Sequence, residues 1–298
     1  MKASVIITDY LRRKYILDAL QSIKNQKGID LNDIEVIVVK YYQDEKIDNY
    51  IKENFPNYKI INLDPNGPDR YCGSAFAIGI KESSSNLIFL LDDDDMFTEN
   101  KISIIFEVVK NIKDDEYLIW NKAILIDKNG KPLKKIKYGY IYNSSSIVIS
   151  IKDKEKLIDY IRKIYYVPDQ GFFCYFKGKI IKLENFLTYY RRHEENMTGK
   201  RYNRHLLEMF LQDLQYIYEK TKCKREIYEI ISYKIILNLI YNTNYKISLK
   251  EYFKVLSILD RDFIRRLTKV ILYKLFKNYL KKYYLRRYIF TDLNSQNA

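Results

Sequence analysis

Two kinds of hydrophobic pattern alternate along the first hundred residues of the chain. Short runs of apolar, mostly β-branched residues predict strands over residues 4–8, 34–39, 58–63 and 86–91. Between them, apolar residues recur at helical spacing and predict helices over residues 15–23, 46–54 and 74–82. Strands that alternate with helices form a parallel sheet covered by helices on both faces, with the carboxyl ends of the strands along one edge. A ligand site is expected at that edge.

The remainder of the chain changes from a mixed pattern to a helical one. Strands are predicted over residues 117–126 and 147–150, and a helix over residues 152–164. From about residue 201 the pattern is almost wholly helical, with helices predicted over residues 205–220, 225–241, 249–259 and 262–289. A length of 298 residues is typical of about two domains. We therefore predict an α/β domain over residues 1–198 and a basic helical region over residues 199–298.

The charge of the chain is strongly basic and unevenly distributed. Its formal net charge is +14, and residues 201–298 contain 20 Lys and Arg against 9 Asp and Glu. Such a charge favours an anionic partner, which would be nucleic acid, lipid headgroups or a phosphate-bearing substrate, or it forms a solvated basic face. The abundance of Lys and Glu, with few Gly and Pro residues, is typical of a heat-adapted protein.

The basic charge is densest in a tail over residues 263–290, which contains nine basic residues and no acidic one. Its apolar residues recur at helical spacing, so the tail is predicted to be an amphipathic helix. Two interpretations remain open at this point. The tail lies flat on an anionic membrane, or its apolar face packs on the first domain or on a second subunit of an oligomer.

Several classes of protein are excluded by composition. Hydrophobic residues make up 47% of the chain, which excludes a disordered protein. No apolar run reaches the ~18 residues that span a bilayer, and the apolar stretch at the start is too short for a signal peptide. The three cysteines have no C-x-x-C spacing, which argues against a zinc site. We expect a cytoplasmic protein, peripheral at the inner face of the cell membrane if its tail binds lipid.

The most informative chemical feature is a run of four aspartates, here called the aspartate tetrad: Asp92, Asp93, Asp94 and Asp95. The tetrad follows a buried strand directly, and no Lys or Arg lies within it to neutralise its charge. A divalent cation would neutralise these carboxylates, and Asp92 and Asp94 would point to the same side of an extended backbone. The alternative is an exposed acidic turn that caps the next helix.

Three segments of the chain, in order, resemble the signatures of family 2 glycosyltransferases. The first is residues 4–16, a strand followed by Thr-Asp-Tyr-Leu-Arg and a helix. The second is Ala-Phe-Ala-Ile-Gly-Ile at residues 75–80, followed by the strand over 87–91 and the tetrad. The third, here called the closing segment, is Phe-Leu-Thr-Tyr-Tyr-Arg-Arg-His-Glu-Glu-Asn-Met-Thr at residues 186–198. The resemblance covers about residues 3 to 198.

The resemblance implies the GT-A fold, a Rossmann-like, mostly parallel sheet flanked by helices, in a catalytic domain over residues 1–198. It also implies a hexosyltransferase-like enzyme that transfers a sugar from a nucleotide-sugar donor to a glycan or lipid-linked acceptor, with inversion at the anomeric carbon. The implied cofactor is a divalent cation, Mn²⁺ or Mg²⁺.

The resemblance also assigns roles to individual residues. Donor-binding residues would be Thr8, Asp9, Tyr10, Arg12, Asp92 and Asp93, with Tyr10 beside the nucleotide base and Asp92 near the ribose. The metal would be held by Asp94 and His193. Arg191 and Arg192, in the same basic run as His193, would contact the diphosphate.

An inverting transfer requires a general base that takes the proton of the acceptor hydroxyl. In the family this base is an acidic residue between the metal motif and the closing segment. Asp169, which follows Pro168, is the best candidate here. Three alternatives remain open: Asp169 is a helix N-cap, or the base is Glu184, or the base is Glu194.

The sequence departs from the family pattern at four positions. Leu11, Phe76 and Ile78 stand where polar residues are frequent in the family. Lys40 lies in the stretch where the family often has an acidic residue that recognises the nucleotide base. These departures keep open a catalytically silent relative that acts as a binding protein. A nucleic-acid-binding protein is the other alternative, and it is disfavoured because the tetrad would repel phosphate in the absence of a metal.

Overall fold

The computed structural model describes residues 2–10, 14–133, 139–194, 196, 204–241 and 243–248. The predictions for Leu11, for Arg12, for the helices over 249–259 and 262–289, and for the tail over 263–290 lie outside the described residues. The chain divides into two compact units, with the division between residues 193 and 194. The domain boundary after residue 198 stays a prediction.

In the described part of the first unit, eight strands form a single sheet. They are β1 Ala3–Asp9, β2 Ile34–Lys40, β3 Asn57–Asn62, β4 Leu87–Asp92, β5 Met96–Phe97, β6 Tyr117–Ile126, β7 Ile147–Ser150 and β8 Ile180–Arg191. From edge to edge the strand order is β3-β2-β1-β4-β7-β6-β8-β5. The neighbours among β1, β2, β3 and β4 pair in parallel, as do β6 and β8, whereas β7 is antiparallel to both β4 and β6. The predicted mostly parallel sheet is confirmed.

Six helices flank this sheet: α1 Ile16–Lys24, α2 Glu45–Asn54, α3 Cys72–Glu82, α4 Lys101–Val109, α5 Lys154–Ile161 and α6 Pro168–Tyr175. Apolar side chains of α1, α2 and α4 form the largest core cluster with alternate strand residues such as Val5 and Ile7. Each fully buried aliphatic side chain of this kind contributes about 1.5–3 kcal/mol. Ile6, which points to the other face of β1, lies against Gly79 of α3.

The register of the parallel strands determines which residues meet at their carboxyl ends. Thr8 of β1 is paired with Val39 of β2 on one side and with Asp92 of β4 on the other. Asp9 is paired with Lys40. β1 and β4 are buried along most of their length because helices cover the sheet, and apart from Ser4 their polar side chains come at the carboxyl ends.

The structure adds two strands that the hydrophobic pattern does not predict. β8 contains the first part of the closing segment, and β5 is a two-residue strand that pairs antiparallel with it. The pairing of β8 with β6 is irregular, with register shifts between Asn121 and Ala123. The middle of β8 is exposed, so its sequence lacks the continuous apolar run of the other strands.

The second unit contains two described helices, α7 Arg204–Thr221 and α8 Lys224–Tyr241. They pack on each other, with Phe210 edge-on to Tyr233 at 6.0 Å between ring centroids. The helices predicted over residues 205–220 and 225–241 are confirmed. Within the residues that the structure describes, no helix has both the length and the apolar character needed to cross a membrane.

Gly73, in the first turn of α3, allows this helix to approach the segment that connects α5 and α6. A Cβ atom at this position would lie 2.0 Å from the carbonyl oxygen of Ile164 and 2.3 Å from that of Ile161. Overpacking of a core by side chains costs about 1–3 kcal/mol, and backbone carbonyls yield less easily. We therefore expect Gly73→Ala to lower the free energy of unfolding by at least this amount, as measured by urea denaturation.

The control for this substitution is Gly139→Ala, because a Cβ atom at Gly139 would have no heavy atom within 4 Å. This variant is expected to unfold within about 0.5 kcal/mol of the wild type, since it neither overpacks nor exposes a buried group. Equal urea midpoints for the Gly73 and Gly139 variants would contradict the close approach of α3.

Candidate active site

The candidate site lies at the carboxyl ends of β1 and β4, where the register brings the predicted donor-binding residues together. Thr8 is the residue opposite Asp92, and the amide of Asp93 donates a 3.2 Å hydrogen bond to the carbonyl oxygen of Thr8. Asp9 and Tyr10 follow Thr8 at the end of the same strand. Five of the six predicted donor-binding residues therefore share one edge of the sheet, and the sixth, Arg12, lies outside the described residues.

The two residues predicted to hold a metal are in direct contact. His193 Nε2 lies 2.9 Å from Asp94 Oδ2, and both side chains are almost fully buried. Tyr15, which precedes α1, packs its ring against the imidazole with 5.0 Å between centroids. Residues 99 positions apart in the chain thus form one pair, because β8 returns the closing segment to the tetrad.

The chemistry of this pair fits a divalent cation. Carboxylate oxygens are the ligands that Mg²⁺ and Mn²⁺ prefer, and a neutral imidazole suits transition metals. Asp92 and Asp93 immediately precede Asp94, so further carboxylates accompany the pair at the strand end. Asp94 and His193 are the residues that would hold the ion.

Asp95, by contrast, is directed into the protein and is fully buried. Its carboxylate accepts hydrogen bonds from the backbone amide of Arg191 at 2.9 Å and from the side-chain amide of Asn143 at 3.1 Å. The hydroxyl of Ser145 also bonds to this carboxylate and accepts a bond from the amide of Asp92. Burial, followed by the charge of Asp94, raises the pKa of Asp95 to about 7. Through its hydrogen bonds to Arg191, Asn143 and Ser145, Asp95 therefore fixes the turn of the aspartate tetrad.

A second buried charge, Lys101 at the start of α4, belongs to the same framework. Its ammonium group donates to the carbonyl oxygen of Ser145 at 2.6 Å and to Thr188 Oγ1 at 3.1 Å. Burial holds the pKa of Lys101 well below its usual value, and the charge of Asp95 opposes that shift. No sequence motif assigned a role to Lys101. The one signal was a lysine at the start of a mostly apolar helix.

Arg191 connects the closing segment to the tetrad and to α1. Its Nε donates to the carbonyl oxygen of Asp94 at 2.8 Å, and one terminal nitrogen forms a 2.7 Å ion pair with Asp18. The guanidinium also lies 4.4 Å from the ring centroid of Tyr15 and donates to the carbonyl oxygen of Lys128. With these protein partners Arg191 is 1% exposed. The diphosphate contact predicted for Arg191 stays a prediction.

Arg192, the next residue, is partly exposed, and its backbone amide bonds to the carbonyl oxygen of Ile126. Consecutive residues of a strand point to opposite faces, which explains why two adjacent arginines have such different surroundings. The diphosphate contact predicted for Arg192 stays a prediction.

Two tyrosine side chains, those of Tyr10 and Tyr41, lie together at the end of β1. Tyr10 is 44% exposed and meets Tyr41 edge-on, with 4.9 Å between ring centroids. The Tyr41 hydroxyl donates to the backbone carbonyls of Asp69 and Tyr71, which ties the loop before α3 to the end of β2. Burial raises the pKa of Tyr41, so its hydroxyl stays a donor. The exposed ring of Tyr10 thus packs on the ring of Tyr41, whose position is fixed by its hydrogen bonds.

Asp9 is fully buried, and its Oδ2 accepts a hydrogen bond from the hydroxyl of Tyr42. Its other oxygen, Oδ1, is buried without a hydrogen-bond partner among the described residues. Burial, then the bond to Asp9 and its charge, raise the pKa of Tyr42. Lys40, one of the departures from the family pattern, is buried and pairs with Asp48 of α2 at 3.1 Å. The donor-binding role of Asp9 stays a prediction.

Asp169 is the second residue of α6, and the residue at the N-cap position is Val167. The alternative interpretation of Asp169 as an N-cap is therefore wrong. The side chain lies in the first turn of a short helix and is partly exposed. A carboxylate in the first helical turn is stabilised by the helix dipole. The role of Asp169 as the base stays a prediction.

Glu184, the second candidate base, occupies a different environment. Glu184 is exposed on β8 and forms an ion pair with Lys122. It also accepts a 2.9 Å hydrogen bond from the hydroxyl of Tyr140. The bond from Lys122 and then that from Tyr140 lower the pKa of Glu184, which makes it a weaker base. Glu194, the third candidate, begins the second unit.

Two departures from the family pattern lie on α3. Phe76 is buried and meets Phe172 of α6 edge-on, with 5.8 Å between ring centroids. This contact replaces a polar group with apolar packing between α3 and the helix that carries Asp169. Ile78 is partly buried two residues further along α3.

Curated relatives of this chain are glycosyltransferases of undetermined activity. One from Rickettsia bellii, named as an uncharacterized glycosyltransferase, is 30% identical over 141 residues, which is 46% of this chain and 19% of that protein. A second, the uncharacterized glycosyltransferase YwdF of Bacillus subtilis, is 31% identical over 134 residues, or 44% of this chain and 46% of that protein. The aligned regions thus span less than half of either relative.

Solved structures share the fold at low sequence identity. Staphylococcus aureus TarS 1-349 in complex with UDP-GlcNAc superposes with a TM-score of 0.58 at 17% identity, covering 93% of this chain and 88% of that one. The mannosyltransferase PcManGT of Pyrobaculum calidifontis, in complex with GDP-Man and Mn²⁺, gives a TM-score of 0.51 at 11% identity, covering 94% and 88%. These neighbours identify the fold as GT-A.

The family described as Glycosyl transferase family 2 matches residues 4–235, a region that contains all of the described sheet except Ala3, and most of the described helices. This match covers more than half of the chain and extends beyond the closing segment. The chain belongs to glycosyl transferase family 2.

Proposed function

We propose that this glycosyltransferase is metal-dependent and inverting, and that it transfers a hexose from a nucleotide-sugar donor to a hydroxyl of a glycan or lipid-linked acceptor. The observation that carries the proposal is the contact of Asp94 with His193 at the edge where β1 and β4 end. This contact joins a carboxylate and an imidazole beside the predicted donor-binding residues. The buried charged side chains of Asp95, Lys101 and Arg191 form the framework around it.

The donor would lie along the carboxyl ends of β1 and β4. Tyr10 would stack on the nucleotide base with its exposed ring, while Thr8, Asp9, Asp92 and Asp93 line the same edge. Support comes from two neighbours of the same fold, whose structures contain UDP-GlcNAc and GDP-Man.

Asp94 and His193 would hold Mn²⁺ or Mg²⁺, and Arg192 would approach the diphosphate. The bound cation supplies positive charge that stabilises the leaving diphosphate. Arg191 and Asp95 keep Asp94 in place. The Arg191 side chain bonds to the carbonyl oxygen of Asp94, and the backbone amide of Arg191 bonds to the carboxylate of Asp95. One neighbour of the same fold is described with Mn²⁺, which supports a divalent cation here.

Asp169 would act as the general base. It would take the proton from the acceptor hydroxyl while the hydroxyl oxygen attacks the anomeric carbon from the face opposite the leaving nucleotide. The bond from the anomeric carbon to the diphosphate oxygen breaks as the new glycosidic bond forms, which inverts the configuration. Its place in the first turn of α6, on a helix anchored by Phe172 against α3, gives the carboxylate a fixed position.

A thermal-shift panel tests the donor and metal parts of this proposal. UDP-, GDP- and dTDP-sugars are added with Mn²⁺, with Mg²⁺ or with EDTA. A ligand that binds only the native state stabilises it by about 2.7 kcal/mol at a hundredfold excess over Kd. We expect one nucleotide class to raise the melting temperature only when the metal is present, and Asp94→Asn to abolish this rise.

The matched control is Asp115→Asn, which removes a carboxylate on the surface with 74% exposure. It should respond to donor and metal as the wild type does. A donor response that survives in Asp94→Asn, or that is equal in EDTA, would overturn the metal part of the proposal. Donor binding without transfer to any acceptor would instead favour the catalytically silent relative.

A further inference from the structure

A cluster of aromatic side chains lies on the sheet face that is covered by α6. Trp120 of β6 is at its centre and lies 4.7 Å from Tyr140, 4.5 Å from Tyr142 and 4.8 Å from Phe173, measured between ring centroids. The indole N–H donates to the carbonyl oxygen of Ile141 at 3.0 Å, which fixes the orientation of the ring. We call these four residues the aromatic cluster.

Among the residues that the structure describes, apolar packing covers the aromatic cluster only in part. Tyr140 and Tyr142 are only partly buried, and Lys182 of β8 is exposed above the cluster. The Lys182 ammonium lies 5.6 Å from the Trp120 ring centroid and 5.4 Å from that of Tyr140. Among the described residues, Lys182 has no ion-pair partner within 4 Å, whereas Lys122 beside it is paired with Glu184. The charge of Lys182 also helps to lower the pKa of the nearby Glu184 carboxyl. The surface therefore combines aromatic rings with an exposed positive charge.

The position of the cluster relates it to the candidate active site. Tyr142 directly precedes Asn143, whose amide donates to Asp95 in the tetrad at 3.1 Å. Phe173 lies four residues after Asp169 on α6, on the same side of that helix. The aromatic cluster thus extends from the turn of the proposed metal site to the helix that carries the proposed base.

We propose that the aromatic cluster and Lys182 form the acceptor subsite, and that the acceptor is a glycan whose terminal sugar carries an anionic group, a carboxylate or a phosphate. This inference rests on the proposed function, which leaves the acceptor class open. The apolar C–H face of a sugar ring stacks on Tyr140 and Tyr142. Lys182 pairs with the anionic group, since a charge-assisted bond of this kind is stronger than a neutral one.

Trp120 gives this proposal a direct readout, because it is the only tryptophan of the chain. Intrinsic fluorescence is recorded while the full-length protein is titrated with oligosaccharides that carry a terminal uronate or sugar phosphate, and with their neutral counterparts. The titrations contain no donor and no metal, so their result does not depend on the donor and metal parts of the proposed function. We expect the acidic oligosaccharides to change the emission and the neutral ones to bind at least about tenfold more weakly.

Variants distinguish a binding surface from a structural cluster. Lys182→Met keeps the length of the side chain and should abolish the preference for acidic over neutral ligands. Tyr140→Leu should weaken both classes about tenfold. The matched control is Lys179→Met, an exposed lysine on the same segment that pairs with Glu116, and it should bind as the wild type does. Circular dichroism and melting temperature establish that each variant is folded.

Three results would overturn the proposal: no fluorescence change with any acidic oligosaccharide, equal binding of acidic and neutral ligands, or equal effects of Lys182→Met and Lys179→Met. A uronate and a phosphate that differ in affinity identify the anionic group. If the oligosaccharides bind and the donor panel fails, the acceptor inference stands and the donor assignment does not.

Discussion

Asp169→Asn is expected to lower kcat by about 10²–10⁴-fold, the contribution typical of a positioned general base. The amide that replaces the carboxylate is nearly the same size and cannot take the proton of the acceptor hydroxyl. Because Asp169 lies in the first turn of α6 and is not its N-cap, the substitution should leave the helix intact. The measurement is single-turnover transfer at saturating donor, alongside the donor thermal shift, which should be unchanged.

The matched comparison is Glu184→Gln. Glu184 is exposed, and its pKa is lowered by its bonds from Lys122 and Tyr140, so it is poorly suited to accept a proton. We expect less than about a threefold loss in kcat, and we expect the acidic limb of the pH–rate profile to persist in this variant and to vanish in Asp169→Asn. The reverse pattern would make Glu184 the base and would remove Asp169 from the mechanism.

Much of the sheet follows from local pattern. Three of the four parallel strands, β1, β2 and β4, are buried on both faces, and each forms an apolar run bounded by polar turns in the sequence. β3, at the edge of the sheet, has no fully buried residue, and only its central residues are apolar. General rules of α/β folds then place the carboxyl ends of parallel strands along one edge, so the edge that carries Thr8 and Asp92 could be predicted from the sequence, whereas the strand order could not.

The other half of the sheet could not be predicted in this way. β8 is exposed in its middle and shifts register against β6, so neither continuous apolar character nor strict alternation marks it as a strand. Its role becomes visible only in three dimensions, where it brings His193 to within 2.9 Å of Asp94. The resemblance of the closing segment to a family motif predicted the function of His193 without predicting the strand that delivers it.

Within the site, identical residues have different roles that only tertiary contacts reveal. Asp94 meets His193, whereas Asp95, one residue later, is buried under Arg191 and Asn143. Likewise Arg191 is bound to Asp18 and Asp94, and Arg192 is not buried with it. A run of identical residues does not indicate which side chain faces the ligand. The direction of each side chain depends on the backbone conformation of the turn and on the groups that bond to that side chain.

The buried charges beneath the tetrad should dominate the stability of the site. Lys101→Met is expected to lower the free energy of unfolding by about 1–3 kcal/mol, the cost of leaving a buried acceptor without its donor. The substitution leaves the buried Asp95 carboxylate without the nearby positive charge and leaves the Ser145 carbonyl oxygen without the ammonium donor. Urea denaturation with an unchanged m-value measures this loss directly.

A double substitution separates the loss of the charge from the loss of packing. In Lys101→Met with Asp95→Asn neither of these two buried charges remains, so the loss should be smaller than the sum of the two single losses by about 0.5–3 kcal/mol. Lys110→Met is the matched control, because that lysine forms an exposed pair with Glu107 on the turn after α4 and should change stability by less than about 0.5 kcal/mol. Strict additivity would mean that Asp95 and Lys101 do not stabilise each other. The turn that positions Asp94 would then depend on the hydrogen bonds of Arg191, Asn143 and Ser145 alone.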